Sequence, residues 1–144
     1  MAVIEFQTKQ GTISATNPVA EGYEAIYDVT PIQHIDSLYH WALNLADPRS
    51  GDRLLDVSCG VGRLVDIATS KGNRAVGIDL ASSAVFAGRR AGVRGSLLVG
   101  NAESLPFADE SFDRIVNLGS LEHYQKLSHG VAEMSRVLHR SGRA

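Results

Sequence analysis

The first residues with chemical potential lie in Leu54–Leu64, which reads LLDVSCGVGRL. An apolar run closes on Asp56 and passes into a loop that contains Gly60 and Gly62. Glycine lets a backbone approach a ligand closely and adopt dihedrals that a side chain forbids. A helix beginning near Val61 would direct unpaired N–H groups and a partial positive charge into that loop, favouring an anionic or strongly polar group. The next apolar run ends in GIDLA (77–81), with Asp79 as its closing acid. A carboxylate there can accept hydrogen bonds from both hydroxyls of a ribose. Loop and acid together point to a cofactor that contains a nucleoside.

Two other residue types invite a chemical role. Cys59 sits inside the loop, but a nucleophilic thiol needs an activating base and a depressed pKa. Packing is the simpler reading. His123, in EHY (122–124), follows the fourth apolar run, near where a second substrate would enter. It is a candidate general base for removing a proton from an acceptor hydroxyl, or a histidine that caps or packs the following helix.

Positioning these groups requires alternating strands and helices. Short apolar runs predict strands near 53–57, 74–79, 96–99 and 112–118, with helices near 61–70, 82–91 and 127–139. Such alternation calls for a parallel sheet covered on both faces, a Rossmann-like doubly wound α/β fold. Ligands of that fold bind beyond the carboxyl ends of the strands, where the loop and Asp79 fall. Upstream, residues 1–20 show no periodicity and read as a loose arm. Thr30 and Pro31 then suit an N-cap and first helical position. Ile35, Leu38, Tyr39, Ala42 and Leu45 follow at helical spacing. Tyr23 and Tyr27 are candidates for closing over a cofactor, or for ordinary packing. Residues 1–50 are therefore expected to form an arm and cap helices, and 51–144 the cofactor-binding domain.

The chain has 144 residues, 44% hydrophobic and 21% charged, with a net charge of -2. This balance supplies no electrostatic drive toward nucleic acid or an anionic membrane. One cysteine excludes an internal disulfide and a cysteine-rich metal site, and no metal-ligand cluster is visible. Neither a signal peptide nor a membrane-length apolar run is read, so a cytoplasmic location is expected.

Two nucleotide motifs fail against the letters. The dinucleotide fingerprint G-x-G-x-x-G is broken, because Val65 stands where the third glycine belongs. No G-x-x-x-x-G-K-[ST] phosphate loop occurs.

Four stretches in order, LLDVSCGVGRL, GIDLA, GNAESLPFADESFDRIVNLGSLEHY and EMSRVLHRSGRA, resemble successive motifs of the class I S-adenosylmethionine-dependent methyltransferases. The ubiquinone/menaquinone-type small-molecule branch is the most similar, over about residues 50–144. The resemblance implies S-adenosyl-L-methionine as cofactor and a small-molecule acceptor with an O, N or C nucleophile. It places Asp56, Ser58, Cys59, Gly60 and Gly62 around the methionine half of the cofactor. Asp79 then matches the ribose acid and Leu80 the residue packing on adenine. Asn101 and Ala102, with Glu103 adjoining, fall where the family reads the adenine edge, and Leu118 beside the methionine backbone.

Three departures are visible. Ser58 replaces a common glycine, which implies tighter loop dihedrals. Asn101 replaces an aspartate, although its amide oxygen could still accept from the adenine amino group. RVLHRSG lacks the family's proline, which is expected to alter only a turn. A fifth strand is expected to begin where the chain ends, leaving about four strands in the order 3-2-1-4. The fourth would then expose an apolar edge, inviting self-association. These expectations describe the N-terminal part of a longer enzyme. The rival readings are a cofactor-binding module without turnover and, more distantly, a nucleotide-linked oxidoreductase.

Overall fold

Five parallel strands, side by side in the order Ser96–Val99, Arg74–Asp79, Arg53–Val57, Phe112–Asn117 and Leu138–Arg143, form the frame of the molecule. The computed structural model describes residues 36–144, together with the backbone of Gln7–Thr8 (β1) and Gly11–Thr12 (β2). Those two short strands pair antiparallel within the segment expected to be a loose arm. Thr30, Pro31, Tyr23, Tyr27 and Ile35 lie outside the described residues.

After helix α1 (Asp36–Ala46), strand and helix alternate as the apolar runs predict. The order is β3 (Arg53–Val57), α2 (Arg63–Ser70), β4 (Arg74–Asp79), α3 (Ser82–Arg90), β5 (Ser96–Val99) and β6 (Phe112–Asn117). A one-turn 3-10 helix (Leu121–His123), α4 (Leu127–Val137) and β7 (Leu138–Arg143) complete the chain. The strands read as continuous apolar runs because both sheet faces are covered. Leu54, Ala75, Leu97 and Val116 pack on one face with Leu43, Leu64, Val65 and Val85 from α1, α2 and α3. Leu55, Val57, Ile78 and Ile115 pack on the other with Val137 of α4.

Two expectations are corrected. The buried residues of α1 are Ala42, Leu43 and Ala46, with Tyr39 partly buried beside them, while Leu45 is 57% exposed. The stripe that meets the sheet is 39-42-43-46, which keeps the expected Tyr39 and Ala42 and has Leu43 and Ala46 in place of Leu45. The fourth strand is also not an open edge. β7 pairs with it in parallel, Leu138 opposite Phe112 and Arg143 opposite Arg114. Between those pairs β6 advances two residues and β7 five, so β7 carries a bulge. Gly142 permits it, since a Cβ there would lie 2.9 Å from the Asp113 carbonyl. Unpaired N–H and C=O groups along β6 recruit Leu138–Arg143, and the missing proline thus falls in a strand rather than a turn.

Candidate active site

At the carboxyl ends of β3 and β4, the Asp79 carboxylate fastens the loop. Gly60 N–H donates to Oδ2 at 2.7 Å, and Ala81 N–H donates to Oδ1 at 2.8 Å. Asp79 is 3% exposed, so these bonds form in a poorly solvated place where charge-assisted bonds count most. A carboxylate offers about four acceptor positions, which makes loop fastening compatible with receiving hydroxyls.

The loop itself is left-handed at three positions. Gly60 and Gly62 take φ 56° and 82°, and Ser58 takes φ 63°. The expected tightening at Ser58 is therefore a positive φ at a residue with a Cβ, a conformation costing about 1–2 kcal/mol. Gly62 caps α2 and packs away from the strand ends, where a Cβ would come within 2.6 Å of Leu97 Cδ2.

Asp56 and Cys59 lie beneath the loop. Asp56 is opposite Gly77 in the β3–β4 register, and a Cβ on Gly77 would come within 2.6 Å of Cys59 Sγ. Burial, then the charges of Asp56 and Asp79, push the Cys59 thiol far above its ordinary pKa. It stays protonated and packs, as the sequence reading favours. Burial first and the Asp79 charge second push the Asp56 carboxyl well above the usual carboxylate range.

The sign for stability follows. The folded state holds a proton on Asp56 that the unfolded chain releases near pH 4. Stability is thus lost as pH rises from there through the folded-state pKa. Asp66 behaves oppositely. Hydrogen bonds from Arg94 hold its pKa down to about 2, so its contribution is present above pH ~4 and lost as pH falls toward 2. Asp56→Asn is expected to raise the melting temperature at neutral pH, by roughly 4 °C per kcal/mol regained, and to flatten the pH dependence above pH ~4. An unchanged melting profile across pH 4–8 would show that Asp56 carries no burial penalty.

One cleft gathers most of the expected site residues. It is lined by Ser58, Asp79, Leu80, Asn101, Ala102, Glu103 and His123, together with Tyr124. Gly60 joins through its bond to Asp79, whereas Leu118 packs against the first core cluster. Asn101 Oδ1 accepts the Glu103 N–H at 2.8 Å. The oxygen expected to receive an adenine amino group is thus already engaged, and the NH2 group is the remaining end of that amide. Glu103 in turn accepts the N–H groups of Gln125 at 2.8 Å and Lys126 at 3.0 Å. His123 is partly exposed, 3.9 Å from the Glu122 carboxylate.

Sequence reasoning missed Tyr124, Asn117 and Ser120. Ser120 Oγ donates to Asn117 Oδ1 at 3.0 Å, and Asn117 Nδ2 donates to the Tyr124 hydroxyl at 2.7 Å. The Tyr124 ring lies where a Cβ on Gly130 would stand. That mid-helix glycine was the available signal, since a glycine inside a helical pattern marks a close approach. Arg136 ties down the loop that continues from Glu103. It donates to the carbonyls of Phe107 and Leu105 and pairs with Glu133, whose Oε2 accepts the Leu105 N–H.

A larger groove of about 580 Å³ runs between α2 and α3, lined by Asp36, Val61, Arg63 and Gly88 among others. It contains none of the expected site residues.

The geometry can now be set beside known proteins. Residues 55–144 match the methyltransferase domain family. The chain belongs to that family. Its relatives include the demethylmenaquinone methyltransferase of Symbiobacterium thermophilum, 28% identical over 134 residues, covering 87% of this chain and 53% of the relative. The ubiquinone/menaquinone biosynthesis C-methyltransferase of Paracoccus denitrificans is 35% identical over 106 residues, covering 67% and 42%. The chain spans about half the length of these curated relatives. Among solved structures, the PH0226 protein of Pyrococcus horikoshii aligns with TM-score 0.71 at 26% identity, over 81% of this chain and 61% of that one. The [4+2]-cyclase SpnF aligns with TM-score 0.74 at 22% identity, over 96% and 59%, a likeness of fold. Family and neighbours agree with the class I S-adenosylmethionine-dependent methyltransferase resemblance and with its Rossmann-like sheet. No helix among the described residues is long and apolar enough to cross a membrane.

Proposed function

We propose that the chain binds S-adenosyl-L-methionine at the strand-end cleft and transfers its methyl group to a small-molecule acceptor. The observation that carries this reading is the Asp79 carboxylate, which fastens the glycine loop while lining the same cleft as Asn101, Glu103 and His123. The residues present suit the cofactor's parts. Asp79 receives ribose hydroxyls, Leu80 and Ala102 flank the base, and Asn101 meets its edge. Asp56, protonated while buried beside a second carboxylate, would give up that proton and pair when a cationic group such as an ammonium arrives. When bound, the sulfonium supplies an electrophilic methyl for a single in-line displacement. The protein's share is to hold the reactants aligned and to keep water away. His123, which lines the same cleft, would take the acceptor's proton at an imidazole nitrogen.

The names of relatives suggest the acceptor's character. They refer to demethylmenaquinone, a 24-methylenesterol and fatty acids, molecules with large apolar parts. The exposed side chains of Leu121 and Leu127 flank the His123 segment and suit such a molecule. Calorimetry with S-adenosylhomocysteine and NADH, followed by labelled methyl transfer to quinol, sterol and fatty-acid acceptors, tests the reading. Binding of NADH alone would sink it. Cofactor binding without transfer to any acceptor would leave the rival, a binding module without turnover, because a fold does not dictate its chemistry.

Asn101 gives a sharper check on the base. Asn101→Asp keeps one oxygen for the Glu103 N–H and supplies a second for the adenine amino group. S-adenosylhomocysteine should bind roughly threefold to tenfold more tightly, as expected for one added hydrogen bond. Weaker binding would place the base elsewhere.

A further inference from the structure

We infer that Tyr124 is a binding residue for the amino-acid half of the cofactor, with Asn117 and Ser120 as the positioning residues that aim its hydroxyl. The inference rests on the cofactor reading above and adds a residue to it.

The sheet order locates the group. Strand order reverses between β3 and β6, the topological switch point of this sheet. Tyr124 is the side chain that bridges that crevice. Its hydroxyl is bonded to Asn117, the last residue of β6, and lies 3.4 Å from the Oγ of Ser58, the first residue after β3. An extended ligand with its base at Asn101, beyond β5, and its ribose at Asp79, ending β4, continues toward β3 and β6. The part beyond the ribose therefore arrives at Ser58 and Tyr124.

The hydrogen bonds also set the polarity of the hydroxyl. Ser120, 4% exposed, donates to Asn117 Oδ1, which fixes the orientation of that amide. Asn117 Nδ2 then donates both to the Val57 carbonyl and to the Tyr124 oxygen. With its oxygen occupied by an N–H, the phenol is left to act as donor. Its neighbour Ser58 Oγ, at 3.4 Å, is beyond the usual O–H···O range of about 2.5–3.0 Å. Two hydroxyls that bond each other poorly can both donate to one carboxylate placed beside them. The amino-acid half carries that carboxylate.

The test compares two ligands that share adenine and ribose. S-adenosylhomocysteine has the amino-acid half, and 5′-methylthioadenosine lacks it. In calorimetry, Tyr124→Phe should weaken S-adenosylhomocysteine about tenfold, the size of one hydrogen bond to a charged group. It should change 5′-methylthioadenosine by less than about twofold, within ordinary neutral variation. Ser120→Ala leaves the phenol in place and should give the same selectivity with a smaller loss. It also keeps the test open if the first variant melts early. Equal weakening of both ligands, or no weakening of S-adenosylhomocysteine, overturns the inference. If the wild-type chain binds neither ligand, the cofactor reading fails as well, and this separates the two failures.

Discussion

Asp79→Ala is expected to weaken S-adenosylhomocysteine by at least about tenfold, and to do so by two routes. The first is direct, because the ribose hydroxyls lose a charged acceptor. The second comes from the loop. Without the carboxylate, the N–H groups of Gly60 and Ala81 lose their buried partner. Hydrogen bonds to charged groups contribute roughly 1.5–3 kcal/mol each, so the variant should also melt earlier. Asp79→Asn is the milder variant and should weaken both routes by less. One amide oxygen can still accept an N–H, but the NH2 group cannot, so the loop is only half fastened. Affinity unchanged in both variants by calorimetry would remove Asp79 from the site.

Gly60→Val should abolish measurable cofactor binding. Gly60 is buried at φ 56°, with its N–H held by Asp79. A β-branched residue in the left-handed region costs more than the 1–2 kcal/mol of an ordinary side chain, and its methyl groups would stand where the ligand must approach. Relief of that strain would move the Gly60 N–H off Asp79 and open the loop. The sheet, held by other residues, should persist, giving a near-normal circular dichroism spectrum. Retained binding with that spectrum would show that the loop faces something other than the ligand.

Parts of the fold could be read from the letters because burial on both faces writes apolar runs. The runs at 53–57, 74–79 and 96–99 are the observed β3, β4 and β5, and the fourth ends one residue early, at Asn117. LHRSGR carries no such run. Its extended form is imposed by the edge of β6, a tertiary demand that local sequence does not express. Leu45 shows another limit. It fits the helical spacing, yet α1 is rotated so that Leu43 and Ala46 meet the sheet instead.

The site divides in the same way. Asp79 and Gly60 could be read from their places at strand ends, and Asn101 from the family resemblance. Ser58 could be noted as a departure, but its φ of 63° depends on the loop closing over Asp79. The Ser58–Tyr124 approach joins residues 66 positions apart, and only the folded sheet brings them together. The exchange of roles in Asn101, with its oxygen turned to Glu103, is a local bond that residue type alone leaves open.

Glu103 lines the same cleft as Asn101, yet its two oxygens hold the backbone of Gln125 and Lys126, shortly after His123. On the proposed reading, the loop beside the base and the segment beside the acceptor would therefore share one carboxylate. A ligand that draws Glu103 toward the base lengthens its bonds to Gln125 and Lys126, and one that reorders that segment pulls on Glu103. Thermodynamic linkage makes the exchange reciprocal: the factor by which cofactor changes acceptor affinity equals the factor by which acceptor changes cofactor affinity. A single side chain would thus give two binding events a common coupling energy, the same whichever ligand binds first.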